Sequence, residues 1–216
     1  MRFKTLATDY DGTLAKDGIV APQTISSLEQ LRTSGFRLFL VTGRETEDLL
    51  KIFPQCRLFD AVVAENGGVL YDPKYRAMKV LHAAPPQKLV EYLRARGISP
   101  LSVGHVLIAT QEPNDGIVLE AIKVLGLELK IVFNKGAVMV LPPGVNKATC
   151  LAATLQEAGL SPETCIGVGD AENDHAFLEF CGRGVAVQNA IDSLKKRADY
   201  VTNLPNGRGI LELVEN

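Results

Sequence analysis

The sequence predicts an α/β protein: a Rossmann-like, doubly wound parallel sheet that carries a smaller inserted α+β domain. Two observations lead to this prediction. Apolar, β-rich runs alternate with amphipathic runs in both halves of the chain, which is typical of parallel strands covered by helices on both faces. Near the middle, hairpin-like patterns interrupt this alternation, which indicates an insertion.

In the first half, strand-like runs alternate with helix-like runs. After the first strand, Ile25, Leu28 and Leu31 recur at helical spacing, and Gly35 follows as a stop signal. Pro54 ends the next helical run in the same way. We therefore predict, in order, a strand "FKTLATD", a helix "PQTISSLEQLRTSG", a strand "RLFLVTG", a helix "ETEDLLKIF" and a strand "AVVAENG".

The alternation resumes in the last third of the chain. Predicted helices there are "NKATCLAATLQEAG", "ENDHAFLEFC", "AIDSLKKRA" and "GILELVEN". Predicted strands are "TCIGVGD", "RGVAVQ" and "DYVTN". All three strands follow a helix directly, so we expect them to add to the same parallel sheet.

Residues 82–143 form the predicted insertion, which Pro85-Pro86 and Pro142-Pro143 bracket. A hairpin "GVLYDPKYRAMKVL" precedes it. Inside it we predict a helix "QKLVEYLRARG", a strand "SVGHVLIAT", a helix "NDGIVLEAIKVLG" and a hairpin "LKIVFNKGAVMVLPPG" that turns at 134–136. Residues 1–81 and 144–216 then make the main domain, and 82–143 make a cap domain.

Composition excludes several classes of protein. The 216 residues carry a net charge of −2 with acids and bases interspersed, unlike the basic surface of a nucleic-acid binder. No apolar run is long enough to span a membrane, and "MRFKTLATD" lacks the apolar core of a secretory signal. Four cysteines without a CxxC pair indicate buried, reduced thiols in a cytoplasmic protein. We expect a monomer or a homodimer.

Polar residues follow four of the predicted strands. Asp9 and Asp11 end the first strand, residues 42–44 (Thr-Gly-Arg) the second, residues 65–66 (Glu-Asn) the third, and Asp170 a later one. Ligands of open α/β sheets bind beyond the carboxyl ends of the strands. We therefore expect these side chains to share one crevice.

The pair Asp9 and Asp11 is electrostatically costly. Residues two apart in an extended chain point to the same side. Two carboxylates about 4 Å apart repel each other by roughly 4 kcal/mol at an effective dielectric constant near 20. The pair therefore calls for a nearby cation.

Several common motifs do not fit these residues. An EF-hand calcium loop starting at Asp9 would need glycine at its sixth position and glutamate at its twelfth, but Gly12 is fourth and Val20 is twelfth. "GVGDAEN" lacks the third glycine of a dinucleotide-binding loop, because Asn173 stands there. "GVNKAT" is too short for a phosphate-binding P-loop, and there is no GxSxG of a serine hydrolase.

Four motifs remain, in this order: DxDGT at 9–13, "VTGR" at 41–44, Lys147 at the start of a helix, and "GDAEND" at 169–174. This set resembles the haloacid dehalogenase superfamily of phosphatases over nearly the whole chain. "GDAEND" and "ENGG" at 65–68 are most similar to the Cof-type branch, whose cap lies between the second and third motifs. A member of this size is similar to archaeal-type phosphoglycolate phosphatases and, more distantly, to sucrose-phosphate phosphatases. His175-Ala176 replace bulkier apolar residues, which concerns packing more than chemistry.

The resemblance implies a phosphatase that forms an aspartyl-phosphate. Asp9 is the implied nucleophile, and a carboxylate needs no deprotonation for this role. Asp11 is the implied general acid and base, which protonates the leaving alkoxide and then deprotonates the attacking water. Mg²⁺ is the implied cofactor, bound by the Asp9 carboxylate, the Asp11 backbone carbonyl and the Asp170 carboxylate, with Asp174 bound through water or supporting the other ligands.

The resemblance also implies a phosphate-binding set. Thr42 offers a hydroxyl, Gly43 a backbone N–H, and Lys147 a fixed positive charge. Asn173 orients the phosphate or its loop. The implied substrate is a small phosphorylated metabolite, with phosphoglycolate or a sugar phosphate as the leading candidates, and neither nucleic acid nor membrane is an expected partner.

Structural roles stay open for several of these residues. Asp174 also suits the first turn of a helix, Lys147 could be a solvated lysine, Thr42 could pack at a strand end, and Asn173 could cap its own helix. We expect Arg44 to pair with a nearby glutamate. The histidines show no ligand spacing, so we expect structural or surface positions for His82, His105 and His175.

Three other functions also stay open. A phosphomutase of similar fold would need a second cationic phosphate site in the cap, where Arg94 and Arg96 lie on one predicted helix. A non-catalytic module could use the same pocket to bind a phosphorylated ligand. A phosphoprotein phosphatase is a third possibility, although a capped site suits small substrates better.

Overall fold

The computed structural model describes residues 3–215. Their main sheet has eight strands in the order β12-β11-β10-β1-β2-β3-β4-β5, of which β12 to β3 run parallel and the last two pairings are antiparallel. The strands are β1 (Thr5–Thr8), β2 (Arg37–Val41), β3 (Ala61–Ala64), β4 (Val69–Asp72), β5 (Ala77–Val80), β10 (Cys165–Gly169), β11 (Arg183–Ala186) and β12 (Tyr200–Val201).

The helices around this sheet fall into two packed groups: α1 contacts α8, and α5 contacts α6. Consecutive residues of β1 and of β2 after Arg37 are all buried, so both faces of the sheet centre are covered. The predicted doubly wound α/β fold is therefore confirmed. The helices are α1 (Pro22–Thr33), α2 (Thr46–Ile52), α5 (Lys147–Glu157), α6 (His175–Phe180), α7 (Asp192–Lys195) and α8 (Gly207–Glu215).

The element predictions hold for the main sheet, with shorter bounds. The run "ENDHAFLEFC" begins as a 3₁₀ turn at Glu172–Asp174 before α6 starts. The last predicted helix includes Asn216, which lies outside the described residues. No helix among residues 3–215 is long and apolar enough to cross a membrane. All four cysteines are buried free thiols, which agrees with the prediction.

A second, four-stranded antiparallel sheet lies within the predicted insertion, in the order β6-β7-β9-β8. Its elements are α3 (Gln87–Ala95), β6 (Ser102–Val103), β7 (Ile108–Gln111), α4 (Asp115–Val124), β8 (Lys130–Asn134) and β9 (Ala137–Leu141). Alternate residues of β9 divide between two cores. Val140 packs with α3 and α4, whereas Met139 and Leu141 belong to the core of the main sheet. This second sheet therefore lies against the main one.

The predicted single strand "SVGHVLIAT" is wrong, because two antiparallel strands, β6 and β7, replace it. The chain turns between them, with the Gly104 N–H bonded to the Leu107 carbonyl. Glu65 stabilises this turn: its buried carboxylate accepts hydrogen bonds from the backbone N–H groups of residues 105, 106 and 107 at 3.0, 2.8 and 3.1 Å. A remote side chain thus interrupts the strand.

Candidate active site

The parallel register brings the polar strand ends together. Thr8, the last residue of β1, lies opposite Leu40 in β2 and Val168 in β10. The residues that follow these three strands therefore lie side by side at one edge of the sheet. The Asp9 N–H continues the ladder with a 2.9 Å bond to the Val168 carbonyl. The expected convergence therefore holds for the ends of β1, β2 and β10, whereas the Glu65 side chain after β3 binds the backbone of residues 105–107 instead.

Three buried carboxylates meet at this edge. One oxygen atom from each of Asp9, Asp170 and Asp174 lies within 4.8 Å of the others. Asp9 is 3% exposed and the other two are fully buried. Burial raises the pKa of Asp9 well above its usual value, although the Lys147 charge opposes this. Burial, together with the Asp174 charge, also raises the pKa of Asp170. The cluster is therefore short of positive charge.

Lys147 supplies part of that charge. Its Nζ lies 2.5 Å from Asp9 Oδ1 and 2.6 Å from Asp174 Oδ1, and the side chain is 1% exposed. Burial alone would lower the pKa of Lys147, but the charges of Asp174 and Asp9 outweigh it and hold the pKa above its usual value. The alternative of a solvated Lys147 is therefore wrong.

Helix α5 positions Lys147 at its first residue. The preceding Asn146 caps the helix: its side chain accepts a bond from the Thr149 N–H at 2.9 Å. The positive charge of a lysine interacts unfavourably with the positive, N-terminal end of the helix dipole. The two carboxylates offset this cost, so the lysine is held by its charge partners rather than by its helix.

Asp174 anchors the loop of the "GDAEND" motif. Its Oδ2 accepts bonds from the backbone N–H groups of Asp170 and Ala171 at 2.8 and 3.0 Å. Its Oδ1 holds Lys147. Gly169 makes this close approach possible, because a Cβ there would lie 2.7 Å from Asp174. Asp174 thus combines the predicted helix-start position with a contact to the charged cluster.

The loop after Asp9 packs directly against Asp170. Thr13 donates its hydroxyl to Asp170 Oδ1 at 2.7 Å. Gly12 has φ +79°, and a Cβ there would lie 2.2 Å from Asp170 Oδ2, so no other residue fits without displacement. The side-chain amides of Asn189 and Asn206 both donate to the Gly12 carbonyl at 2.7 Å. The two asparagines, which the sequence motifs missed, therefore fix the loop.

Asp11 points away from the buried cluster towards Arg44. Arg44 Nε lies 2.6 Å from Asp11 Oδ2, and Arg44 Nη2 lies 2.8 Å from Asp11 Oδ1. Arg44 Nη1 also lies 2.5 Å from Asp48 Oδ2. Both of these carboxylate partners of Arg44 are aspartates, so the expected pairing with a glutamate is wrong. The hydrogen bond to Asp11 is the main cause that raises the pKa of Arg44. Any metal contact of Asp11 through its backbone carbonyl stays a prediction.

The predicted phosphate-binding residues lie next to the cluster. Thr42 is buried and its Oγ1 accepts the Arg44 N–H at 3.1 Å. Asn173 donates through Nδ2 to Asn66 Oδ1 at 3.0 Å, and its own Oδ1 is buried without a partner among the described residues. A Cβ on Gly43 would lie 3.7 Å from Asn173 Nδ2. Asn173 therefore faces the "VTGR" loop instead of capping its own helix.

The second sheet also contributes residues to the candidate active site. Met139 Sδ would lie 3.2 Å from a Cβ on Gly43, so β9 covers the "VTGR" loop. At the turn between β8 and β9, the Lys135 ammonium contacts Asp170 Oδ2. The Lys135 backbone N–H donates to Glu172 Oε2 at 2.9 Å. The turn itself was predicted from the sequence, but Lys135 was missed as a residue of the site.

A polar cavity of about 560 Å³ opens between the two sheets beside Asp11. Its lining comes from the loop of residues 11–18, Arg44 of the "VTGR" loop, the turn between β8 and β9, and the two loop asparagines. The lining residues are Asp11, Gly12, Lys16, Asp17, Gly18, Arg44, Asn134, Lys135, Ala137, Asn189 and Asn206. Its volume suits a small ligand, and the charged side chains in its lining favour a charged one.

A sequence profile of the haloacid dehalogenase-like hydrolases matches residues 6–121 and 119–214. This chain belongs to the haloacid dehalogenase-like hydrolases. It is 31% identical over 222 residues to phosphoglycolate phosphatase from Methanothermobacter thermautotrophicus, covering 98% of this chain and 97% of the relative. It is 27% identical over 216 residues to phosphoglycolate phosphatase 2 from Saccharolobus solfataricus, covering 97% of this chain and 90% of the relative.

A solved haloacid dehalogenase-like hydrolase from Bacteroides thetaiotaomicron has the same fold. The TM-score is 0.84, at 22% identity, over 99% of this chain and 98% of that one. The resemblance predicted from the four ordered motifs is confirmed. The roles of individual residues in this haloacid dehalogenase-like hydrolase stay predictions.

The donor set of this hydrolase fits Mg²⁺. Mg²⁺ prefers carboxylate and carbonyl oxygens, and three carboxylate oxygens converge here within 4.8 Å. Gly12 leaves the approach to Asp170 open where any Cβ would fill it. Two ammonium groups contact the three carboxylates: the buried Lys147 lies between Asp9 and Asp174, and the partly exposed Lys135 contacts Asp170. Asp9 and Asp170 are the residues that would hold the ion.

Proposed function

We propose that this protein is a Mg²⁺-dependent phosphomonoesterase that acts on a small metabolite through an aspartyl-phosphate at Asp9. The observation that carries the proposal is the buried Asp9 carboxylate, held 2.5 Å from the Lys147 ammonium beside Asp170 and Asp174. When bound, Mg²⁺ would supply the positive charge that lets these acids face a phosphate dianion.

Asp9 is the proposed nucleophile. The contact with Lys147 holds the Asp9 carboxylate at the end of β1 in one side-chain conformation, in which it faces the crevice. Attack on phosphorus forms the bond between Asp9 and the phosphoryl group and releases the substrate alkoxide. Water then attacks the phosphorus of the aspartyl-phosphate, which returns Asp9 as a carboxylate and releases inorganic phosphate.

Asp11 is the proposed general acid and base. It gives a proton to the leaving alkoxide and later takes one from the attacking water. Arg44 grips both oxygens of Asp11, which supports an orienting role for Arg44. One of the two contacts has to open while Asp11 carries the proton, because a protonated oxygen no longer accepts from Arg44 in the same way.

The phosphoryl oxygens need donors while negative charge develops. Lys147 is the proposed fixed cation, and the Thr42 hydroxyl and the Gly43 N–H are proposed donors from the "VTGR" loop. Asn173 lies close to Gly43, which supports a role in orienting the phosphate or this loop. These groups belong to buried or partly buried segments, so they act without a large solvent reorganisation.

Residues 82–143 are the proposed cap. Met139 in β9 lies against the "VTGR" loop. Lys135, in the turn before β9, contacts Asp170. A cap in this position would exclude bulk water during phosphoryl transfer and select the substrate. Phosphoglycolate is the leading substrate because the first relatives carry that name, and a small sugar phosphate is the alternative. We propose that the enzyme acts in the cytoplasm.

The direct test is phosphate release from p-nitrophenyl phosphate and from a panel of phosphorylated metabolites, with Mg²⁺ or with EDTA. We expect release with Mg²⁺, none with EDTA, and none from Asp9→Asn in either buffer. Substrate binding without release by the wild-type protein would contradict the enzymatic role and favour a binding module. Equal turnover by Asp9→Asn would contradict the nucleophile assignment.

A further inference from the structure

Lys135 is a charged residue in an unusual backbone position. It is the first of two central residues in the tight turn between β8 and β9, with φ +45°, and Gly136 follows with φ +86°. Turns that need a positive φ at both central positions favour Asn, Asp or Gly, which tolerate it best. A lysine there is not explained by the local backbone. Its side chain supplies a better explanation.

The side chain lies in the wall of the cavity beside Asp11. Its ammonium contacts Asp170 Oδ2, and the side chain is 38% exposed, whereas Asp170 is fully buried. The backbone bond of Lys135 to Glu172 fixes the turn over the "GDAEND" loop. The turn is therefore held in place by its backbone, while the side chain keeps access to the cavity.

The carboxylate that Lys135 contacts is one that would hold the divalent cation. A divalent cation held by Asp170 would compete with Lys135 for this carboxylate, and the Lys135 ammonium would then need another anionic partner. The other cations of the described cavity lining are Arg44 and Lys16. Arg44 is bound by Asp11 and Asp48, and Lys16 is exposed to solvent in the loop of residues 11–18. Lys135 is therefore the cation best placed to meet the part of a substrate that leaves.

We propose that Lys135 is a specificity-determining residue that binds a second anionic group of the substrate, a carboxylate on the leaving portion. The proposal rests on the proposed phosphatase function. It predicts selection of small phosphorylated carboxylates over neutral phosphomonoesters of the same size. Lys135 provides this selection from the cap, and the buried cluster provides the chemistry.

The test compares two substrates of matched size, 2-phosphoglycolate and 2-hydroxyethyl phosphate, which differ by a carboxylate in place of a hydroxymethyl group. The quantity measured is the ratio of their kcat/KM values. Lys135→Met keeps most of the side-chain length and the same demand on φ. Because it also removes a partner of the buried Asp170, its urea unfolding with Mg²⁺ is measured beside that of the wild type and should show a folded protein. We expect the ratio to fall by about 10- to 100-fold, the loss of one hydrogen bond to a charged group. Lys135→Arg should retain most of the ratio.

Lys130→Met is the matched control, because Lys130 lies at the base of the same hairpin and outside the cavity lining. It should keep the wild-type ratio. A readout independent of turnover is calorimetric binding of 2-phosphoglycolate with Mg²⁺ to Asp9→Asn, which should weaken by a similar factor when Lys135→Met is added.

Two results would overturn the proposal: an unchanged ratio in Lys135→Met, or a fall in Lys16→Met without one in Lys135→Met. These results differ from a failure of the phosphatase function itself. In that case the wild-type protein would release phosphate from neither substrate, and the proposal for Lys135 would fall with it.

Discussion

Two ion pairs of nearly equal length lie in very different surroundings. Lys147 is 2.5 Å from Asp9, and Arg44 is 2.6 Å from Asp11. The first pair is 1% and 5% exposed, whereas the second is 29% and 38% exposed. We call Asp9, Lys147, Asp170 and Asp174 the buried cluster, and Asp11, Arg44 and Lys135 the cavity wall. Burial, not distance, separates the two groups.

This difference teaches where the site is rigid and where it can adjust. Removing one partner of a buried pair leaves an uncompensated charge and costs about 3–5 kcal/mol. Exposed pairs contribute about 0–1 kcal/mol because water replaces the lost partner. The buried cluster therefore fixes the proposed nucleophile, and the cavity wall is free to exchange partners as substrate and proton come and go.

The largest expected effect on stability is that of Lys147→Met, which removes the cation of the buried cluster. We expect the free energy of unfolding in EDTA to fall by about 3–5 kcal/mol, because Asp9 and Asp174 lose their shared cation. Urea unfolding measures this. Arg44→Met, which removes the partner of the partly exposed Asp11 and Asp48, is the control and should cost no more than about 1 kcal/mol. Equal losses in the two variants would contradict the distinction, and Mg²⁺ should restore part of the loss in Lys147→Met.

Glu65→Gln tests a buried carboxylate that forms no ion pair within residues 3–215. Glu65 accepts three backbone N–H groups, and an amide in its place turns one acceptor into a donor. We expect a loss of about 1.5–3 kcal/mol in unfolding free energy, as for a hydrogen bond to a charged group. Glu45→Gln is the exposed control, since Glu45 contacts the Ser102 hydroxyl at the surface. No difference between these variants would contradict the role of Glu65 in shaping residues 104–107.

Arg44→Lys tests the contribution of the cavity wall to activity rather than to stability. A lysine ammonium cannot grip both oxygens of Asp11, so the general acid loses its orientation. We expect kcat/KM to fall by about 10- to 100-fold, equivalent to about 1.5–3 kcal/mol, with little change in thermal stability. Asp48→Asn keeps the grip on Asp11 and should change kcat/KM less. A loss of stability without a loss of turnover would contradict the orienting role.

The smallest expected effect is a pH dependence at the surface pair of His105 and Glu47. Their atoms lie 2.7 Å apart, and the hydrogen bond to Glu47 raises the pKa of His105 while lowering that of Glu47. The stabilisation is therefore complete below the usual pKa of histidine and is lost as the pH rises through the raised pKa. On the acid side it is lost as the pH falls through the lowered pKa of Glu47.

Both side chains are about a third or more exposed, so we expect the pair to contribute only about 0.2–1 kcal/mol. The difference in unfolding free energy between wild type and His105→Gln should be larger near about pH 5.5 than near about pH 8.5. A difference that grows with rising pH would contradict the assigned pair.

The buried cluster could be predicted because it depends on strand ends. Once the parallel strands are recognised, their register places Asp9, Thr42 and Asp170 together whatever the details of the loops. The motif order then adds Lys147 and Asp174. The hydrophobic periodicity predicts where these residues lie in the sheet, and the family resemblance predicts their catalytic roles.

The cavity wall could not be predicted in the same way. The grip of Arg44 on Asp11 joins residues 33 positions apart, and Lys135 meets Asp170 across 35 positions. The first contact depends on the side-chain directions in the loops after β1 and β2, and the second depends on how the second sheet lies against the first. No local sequence pattern encodes either of them. The division of "SVGHVLIAT" into two strands has the same cause, because Glu65 acts on it from 40 positions away.

The most direct measurement is chemical trapping of the phosphorylated residue. The enzyme is mixed with substrate and Mg²⁺, quenched in acid, and treated with borohydride, which reduces an aspartyl-phosphate to homoserine. Peptide mass spectrometry should then find homoserine at position 9 in the wild-type chain and none in Asp9→Asn. Rapid phosphate release with no modification at position 9, or with the modification at Asp11 or Asp170, would contradict the proposal that the buried Asp9 receives the phosphoryl group.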